Sequence, residues 1–283
     1  MTDFDGSARH VSTIEIETGG ADELTVAEAR PQLLFVIPAF NEEENLPNLF
    51  ADLAQTTDLL GAGSRIFIVD DGSADATSLL VESYSGPLPV ELVRLEVNQG
   101  PGAAFRSGFS SALSCADPDA LIVTLEADTT GDLGALPQML EEVRRGADVV
   151  LADWRMVGVS AHRRLLSAAA GWVVRRSLGL EATTVSSFFR VYRASTLQEA
   201  STRYGDRLIR ERGFACKAEL LAKLASMEAR IVEVPVSLDW SKRNGESKMP
   251  VFKTMLAYWR MLFRERAGAP EPIPAAPEGA LGG

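Results

Sequence analysis

Cysteine is almost missing from this sequence of 283 residues: Cys115 and Cys216 are the whole complement. They stand far apart, in neither a CxxC pattern nor a spacing shared with histidine. A disulfide framework and a zinc site are therefore not expected, and both thiols read as small core residues. Long hydrophobic runs are missing too. No segment approaches the roughly 18 to 20 apolar residues needed to span a bilayer. Residues 1–30 lack the basic start and apolar centre of a signal peptide, so the chain is expected to be cytoplasmic. Positive charge is in deficit, with 28 Lys and Arg against 39 Asp and Glu, a formal net charge of −11. Nonspecific nucleic-acid binding needs a net basic face and is not expected. Phosphate chemistry in such a chain must rest on local basic clusters or on a metal.

What is present is a composition of 46% hydrophobic and 24% charged residues, enough for one large α/β domain or two small ones. The first 30 residues are acidic (Asp3, Asp5, Glu15, Glu17, Asp22, Glu23, Glu28 against Arg9 and Arg30) and show no sustained periodicity; they read as a solvated, disordered tail. Residues 267–283, mostly Pro, Ala and Gly, read as a second disordered tail. Between them, 31–250 is expected to form the folded domain, with 251–266 as an added amphipathic helix.

Within that domain Gln32–Ile37 is a nearly continuous apolar run, the mark of a strand buried on both faces. Arg65–Val69, Val90–Val97 and Ala120–Leu125 repeat the pattern. Helical stretches are predicted at Glu42–Leu60, Asp75–Tyr84, Gly100–Leu113 and Leu133–Arg145. Strands alternating with helices of about 10 to 15 residues mean a mostly parallel sheet flanked by helices. In such sheets ligands sit at the carboxyl ends of the strands.

Two acidic turns follow strands directly and so lie on that edge. Glu126-Ala127-Asp128 puts two carboxylates two residues apart, oxygen ligands suited to Mg²⁺ or Mn²⁺ bridging to a diphosphate. The alternative is helix capping, a task open to Asp132. Asp70-Asp71-Gly72-Ser73 reads either as part of the same site or as an ordinary turn, with Asp75 as N-cap of the helix after it.

The motifs VIPAFNEEENL (36–46), IVDDGSADAT (68–77), NQGPGAAFRSGF (98–109), EADTTGDL (126–133), GADVVLADWR (146–155), RRLLSAAAG (163–171), SSFFRVYR (186–193), GFACKAELL (213–221) and RNGESKM (243–249) occur in order over nearly all of the domain. Together they resemble the family-2 inverting glycosyltransferases of GT-A fold, and within them the dolichol- or polyprenyl-phosphate mannose synthases. The resemblance implies a Rossmann-like α/β sheet, a nucleotide-sugar donor and a polyprenyl-phosphate lipid acceptor. It places Pro38, Phe40, Glu42 and Asp71 in the base and ribose pocket, Ala127, Arg243 and Lys248 on the donor, and Glu126, Asp128 and Thr130 on the metal. It places Arg155, Arg163 and Ser167 on the acceptor phosphate, with Asp128, Arg155 and Arg163 as catalytic groups. Glu219 and the segment 243–248 resemble the loop that folds over the donor. Relatives usually show Asp-x-Asp with Gln two residues later, where this chain has Glu126 and Thr130, and Ser-Gly-Phe-Arg, where it has Ser187-Phe188-Phe189-Arg190.

Basic residues stand among apolar and aromatic ones over 240–266 (Lys242, Arg243, Lys248, Lys253, Arg260, Arg264, Arg266 with Phe252, Leu256, Tyr258 and Trp259) and again over 161–180 (Arg163, Arg164, Arg175 and Arg176 around Trp172 and Val173). These segments read either as interfacial helices attracted to anionic lipid or as amphipathic helices that pack on the sheet or a partner. The expectation is an enzyme peripheral to the inner face of the membrane, alone or with a separate anchoring protein. Two other readings stay open: a UDP-sugar transferase with a soluble acceptor, and a silent nucleotide-sugar-binding scaffold.

Overall fold

A computed structural model describes residues 30–128, 132–155 and 187–237. Both expected tails, apart from Arg30, and the basic segment 240–266 lie outside these residues. The described chain forms one seven-stranded sheet in the order β3-β2-β1-β4-β6-β5-β7. The strands are β1 Leu33–Ala39, β2 Arg65–Asp71, β3 Val90–Leu95, β4 Leu121–Thr124, β5 Val149–Arg155, β6 Arg190–Arg193 and β7 Ile231–Ser237. The helices are α1 Leu46–Ala54, α2 Thr77–Glu82, α3 Pro101–Ser114, α4 Leu136–Arg144, α5 Ala194–Tyr204 and α6 Cys216–Ala225. Every strand runs in one direction except β6, which is antiparallel to both β4 and β5. This is the mostly parallel α/β sheet that the sequence pattern predicts.

The continuous apolar runs follow from burial on two sides. Along β1 the side chains alternate between two cores. Leu34 and Val36 join Phe67, Val69 and Ile122 against α3, α5 and α6, where Ala104, Phe105, Leu197 and Leu221 meet them. Leu33, Phe35 and Ile37 join Ile66, Ile68 and Val123 against α1 and α4, where Leu46, Leu49, Leu136 and Met139 meet them. All of these residues are fully or nearly fully buried. Helix α3 comes so close to the sheet that a Cβ on Gly108 would lie 2.3 Å from Cγ1 of Val36 and 2.9 Å from Cγ2 of Val69.

Two expectations change in detail. The helix predicted from Glu42 starts at Leu46, because Asn41 takes a left-handed φ of 52° and the Glu42 and Glu43 N–H groups donate to Thr77 and Asp75 across the loop. The helix predicted from Leu133 opens with a 3-10 turn, Leu133–Ala135, whose N-cap Asp132 accepts from the Gly134 N–H at 2.9 Å. The capping part of the Asp132 reading therefore holds.

Replacing Gly108 with alanine should lower the stability of the domain by about 2 kcal/mol, since a methyl forced into a packed interface moves backbone or neighbours. Thermal denaturation should show a melting temperature several degrees lower. An unchanged melting temperature would mean that α3 sits further from β1 and β2 than described.

Candidate active site

The carboxyl ends of β3, β2, β1 and β4 line one edge of the sheet. From β1 the chain builds outward to β2 and β3, then returns to add β4 on the other side of β1. Such a reversal leaves a crevice between the two central strands. Its width follows from strand length: β4 pairs with β1 only from Leu33–Leu121 to Val36–Thr124. Past that point β1 continues alone on this side through Pro38, a residue that suits an unpaired edge. Phe40 and Glu42 thus follow β1 on one bank, and Glu126-Ala127-Asp128 follows β4 on the other.

The loops after β1 and β2 are stitched together. The Asn41 N–H donates to the Ser73 hydroxyl and the Ala74 N–H to Asn41 Oδ1, both at 2.9 Å. The Glu42 N–H donates to Thr77 Oγ1 at 2.8 Å, and Glu42 accepts from Asn45 Nδ2 at 2.6 Å. Asp75 accepts from both the N–H and the hydroxyl of Thr77, the first residue of α2. Burial works against its ionisation, yet these hydrogen bonds outweigh burial and hold its carboxyl below the ordinary range.

Asp70 and Asp71 are both buried. Asp70 accepts from the Ser73 N–H at 2.9 Å and from the Ser78 hydroxyl. Asp71 receives the Gln99 and Gly100 N–H groups, one on each carboxylate oxygen at 2.8 Å. Burial pushes its carboxyl above the ordinary range, the two N–H groups pull it back, and the nearby Asp70 charge adds to the rise. The loop it holds needs glycine: Gly100 has φ 90°, and a Cβ there would lie 2.5 Å from the carbonyl oxygen of Arg212.

Across the crevice Asp128 is buried and Glu126 half-buried. Beside them stands Lys217, near the start of α6 and 6% exposed. Its Nζ sits 3.6 Å above the centre of the Phe188 ring and 5.5 Å from that of Phe214. Phe188 is fixed in turn, because its carbonyl accepts the Thr124 hydroxyl at 2.6 Å, at the last residue of β4. Burial lowers the Lys217 pKa to about 8, while the charges of Glu126 and Asp128 favour the ammonium and Arg190 disfavours it. Arg190, buried beside it, donates to the carbonyls of Ser187 and Lys217 at 2.8 and 2.9 Å.

Could these residues hold a metal? Among the described residues no three His, Cys, Asp or Glu side chains cluster at ligating distance. Glu126 and Asp128 offer two carboxylates from one tripeptide. That donor set fits a hard cation that keeps several waters and completes its shell with diphosphate oxygens, and it does not fit a cation caged by protein alone.

Helix α6 also fastens the neighbouring loop. Glu219 is fully buried; its Oε1 pairs with Lys223 Nζ at 2.8 Å, and its Oε2 accepts the Arg210 and Glu211 N–H groups at 2.8 and 2.7 Å. Lys223 donates further to the carbonyls of Arg207 and Leu208. The same loop touches α3, where the Gly102 N–H donates to the Arg212 carbonyl at 2.9 Å.

Comparison with known proteins adds to this geometry. The glycosyl transferase family 2 profile matches residues 34–200, which include β1 to β6 and both banks of the crevice. The chain belongs to glycosyl transferase family 2. It is 30% identical to an undecaprenyl-phosphate mannosyltransferase of Micrococcus luteus over 77% of this chain and 87% of that protein. It is 26% identical to a polyprenol monophosphomannose synthase of Mycolicibacterium smegmatis over 83% of this chain and 87% of that one. Among solved structures, a glucosyl-3-phosphoglycerate synthase from Mycobacterium tuberculosis superposes with a TM-score of 0.62 at 17% identity, over 85% of this chain and 80% of that one. That likeness speaks for the fold alone.

For this glycosyltransferase, Pro38, Phe40, Glu42, Asp71, Glu126, Ala127 and Asp128 all lie along one edge of the sheet. Arg155 is the last residue of β5, opposite Ser237 of β7, on the same edge further out. Thr130, Arg163, Ser167, Arg243 and Lys248 lie outside the described residues. Glu219 lies within α6 as a fastening for the 205–214 loop, a place that its resemblance to a donor-covering loop does not suggest. Sequence reasoning passed over Lys217, although it stands in the motif GFACKAELL. A lysine in a helical apolar stretch does not by itself tell a side chain that snorkels to water from a buried one; the one hint was Phe188, a large ring where the family pattern has glycine.

Two outcomes follow for the glycosyltransferase. Glu219→Ala strands the buried Lys223 without its carboxylate and removes the acceptor of two N–H groups, so it should cost about 3 to 5 kcal/mol in chemical denaturation. A loss below 1 kcal/mol would contradict the fastening role. Burial pushes the Cys216 thiol up to about 12, whereas Cys115 is half-buried. Ellman's reagent at pH 8 should therefore titrate one thiol per native chain and both in denaturant; two fast thiols in the native protein would refute the burial.

Proposed function

We propose that this glycosyltransferase moves a sugar, mannose from GDP-mannose as the first choice, onto a polyprenyl phosphate at a membrane surface, with inversion at the anomeric carbon. The observation that carries the acceptor is the alignment, over most of the chain, with enzymes named for mannosyl transfer to undecaprenyl phosphate and polyprenol. A dolichol-phosphate mannosyltransferase of Pyrococcus furiosus, 28% identical over 81% of this chain and 62% of that protein, points the same way.

The chemistry suits an edge that is rich in acids and, among the described residues, has no histidine. A lipid monophosphate, with its second pKa near 6, is already an anion at neutral pH. It can attack the anomeric carbon without a general base. One of its oxygens forms the new C–O bond on the face opposite the donor diphosphate. The bond to the diphosphate breaks, and its electron pair leaves on the β-phosphate oxygen. The remaining task is electrostatic, because two phosphates must approach each other at a cost of several kcal/mol unless cations screen them. In this reading Arg155 and Arg163, with Ser167, hold the acceptor phosphate, while Arg243 and Lys248 serve the donor. Glu126 and Asp128, with Thr130, would hold Mg²⁺ or Mn²⁺, and the ion would neutralise charge on the leaving diphosphate. Phe40, Pro38, Glu42 and Asp71 form the wall for base and ribose.

Reaching the lipid is part of the proposal. Among the described residues no helix is long and apolar enough to cross a membrane. The basic, aromatic segments at 161–180 and 240–266 supply attraction to anionic lipid, and a separate anchoring protein would serve the same end.

The test is transfer of radiolabelled mannose from GDP-mannose, and separately of glucose from UDP-glucose, to a polyprenyl phosphate in detergent, with Mg²⁺, with Mn²⁺ and with chelator. Label should enter the organic phase only with the cation, and Asp128→Ala should reduce it by about 100-fold or more. Transfer to water-soluble acceptors alone would replace the lipid reading, and full activity of Asp128→Ala would remove the metal-site role of that residue.

A further inference from the structure

The Glu126 and Asp128 carboxylates carry two negative charges on one bank of the crevice, and the ammonium of Lys217, seated above the Phe188 ring, is close enough to feel both. It is not a swinging surface lysine. Its stem is buried, its head rests 3.6 Å above the Phe188 ring, and the peptide carbonyl of Lys217 itself is gripped by Arg190 at 2.9 Å. Phe188 is tied by its carbonyl to Thr124, two residues before Glu126, so the cation and the acid pair share one rigid mount. An ammonium over an aromatic face is attracted to it, the more so when desolvated, and that attraction favours the placement of Lys217 above Phe188. Its charge acts on both Glu126 and Asp128.

We propose that Lys217 is a resident counter-cation of the donor site, which weakens binding of a divalent cation to Glu126 and Asp128 and strengthens binding of the nucleoside diphosphate. The inference rests on the proposed reading of that acid pair as the metal-bearing side of the donor site. The logic is a charge count. The two acids and Lys217 together carry −1 and the acids alone −2; Arg190 beside them adds the same charge in both cases, so removing the lysine makes the site more negative by one. A dication then binds more tightly alone, and a diphosphate binds more weakly alone. When both bind together the two effects oppose each other. Lys217 thereby biases the site against taking up metal before the nucleotide arrives.

Because the two effects have opposite signs, damage to the fold cannot imitate them. The experiment measures Mn²⁺ binding by the loss of the free-ion electron paramagnetic resonance signal. It measures GDP and UDP binding by calorimetry in chelator, then Mn²⁺ binding again with saturating nucleotide. The proteins are the wild type, Lys217→Met, Lys217→Gln and Lys217→Arg. Lys217→Met and Lys217→Gln should bind Mn²⁺ alone on the order of tenfold more tightly and the nucleotide alone on the order of tenfold more weakly. Lys217→Arg, which keeps the charge, should stay within about threefold of the wild type on both, as expected when the Coulomb interaction is kept. Unchanged constants in both neutral variants, or shifts of the same sign for metal and nucleotide, would overturn the inference while leaving the donor-site reading in place. A wild type that binds no Mn²⁺ even with nucleotide would overturn both.

Discussion

Burial of the central strands on both faces is the constraint from which the rest of this structure follows. A sheet packed by α3, α5 and α6 on one side and by α1, α2 and α4 on the other keeps the middles of β1, β2 and β4 apolar. Function is pushed to the strand ends, where the backbone leaves the sheet and side chains can meet a ligand. The reversal of chain order between β1 and β4, and the early end of β4, then select one stretch of that edge as the crevice.

Buried acids at such an edge need partners, and here each has a different kind. Asp70 is satisfied by its own turn, Asp71 by the backbone of a distant loop, and Glu219 by a lysine together with two backbone N–H groups. The first two fix the loops after β2 and β3, and the third fixes the segment that supports α3. Glu126 and Asp128 differ, since the cation beside them comes from another element of the fold and is held by an aromatic ring.

Much of this was legible in the sequence, for physical reasons that can be named. β1 and β2 announce themselves because two-sided burial demands unbroken apolar runs, and the ordered motifs at their ends located the crevice. The start of α1 was not legible. Glu42 to Asn45 has helical composition, and only the left-handed Asn41 together with the cross-loop bonds to Thr77 and Asp75 delays the helix. The four residues of β6 are too few to reveal that it runs against its neighbours. Lys217 escaped because nothing local distinguishes a lysine that snorkels to water from one held over Phe188; the difference is tertiary. Asp132 was readable as a cap because capping is a local interaction.

The contact between α3 and the 205–214 loop has a consequence for how such an enzyme can be altered. Asp71 holds Gln99 and Gly100, Gly102 donates to Arg212, and the peptide groups of Arg210 and Glu211 rest on Glu219. This is a relay of backbone contacts that joins the end of β2 to the middle of α6 through segments remote in sequence. The β2 side and the far side of the crevice are consequently not interchangeable modules. A chimera that imported residues 205–219 from a relative with another donor would also have to import the 98–102 loop, or the two halves would meet with mismatched surfaces.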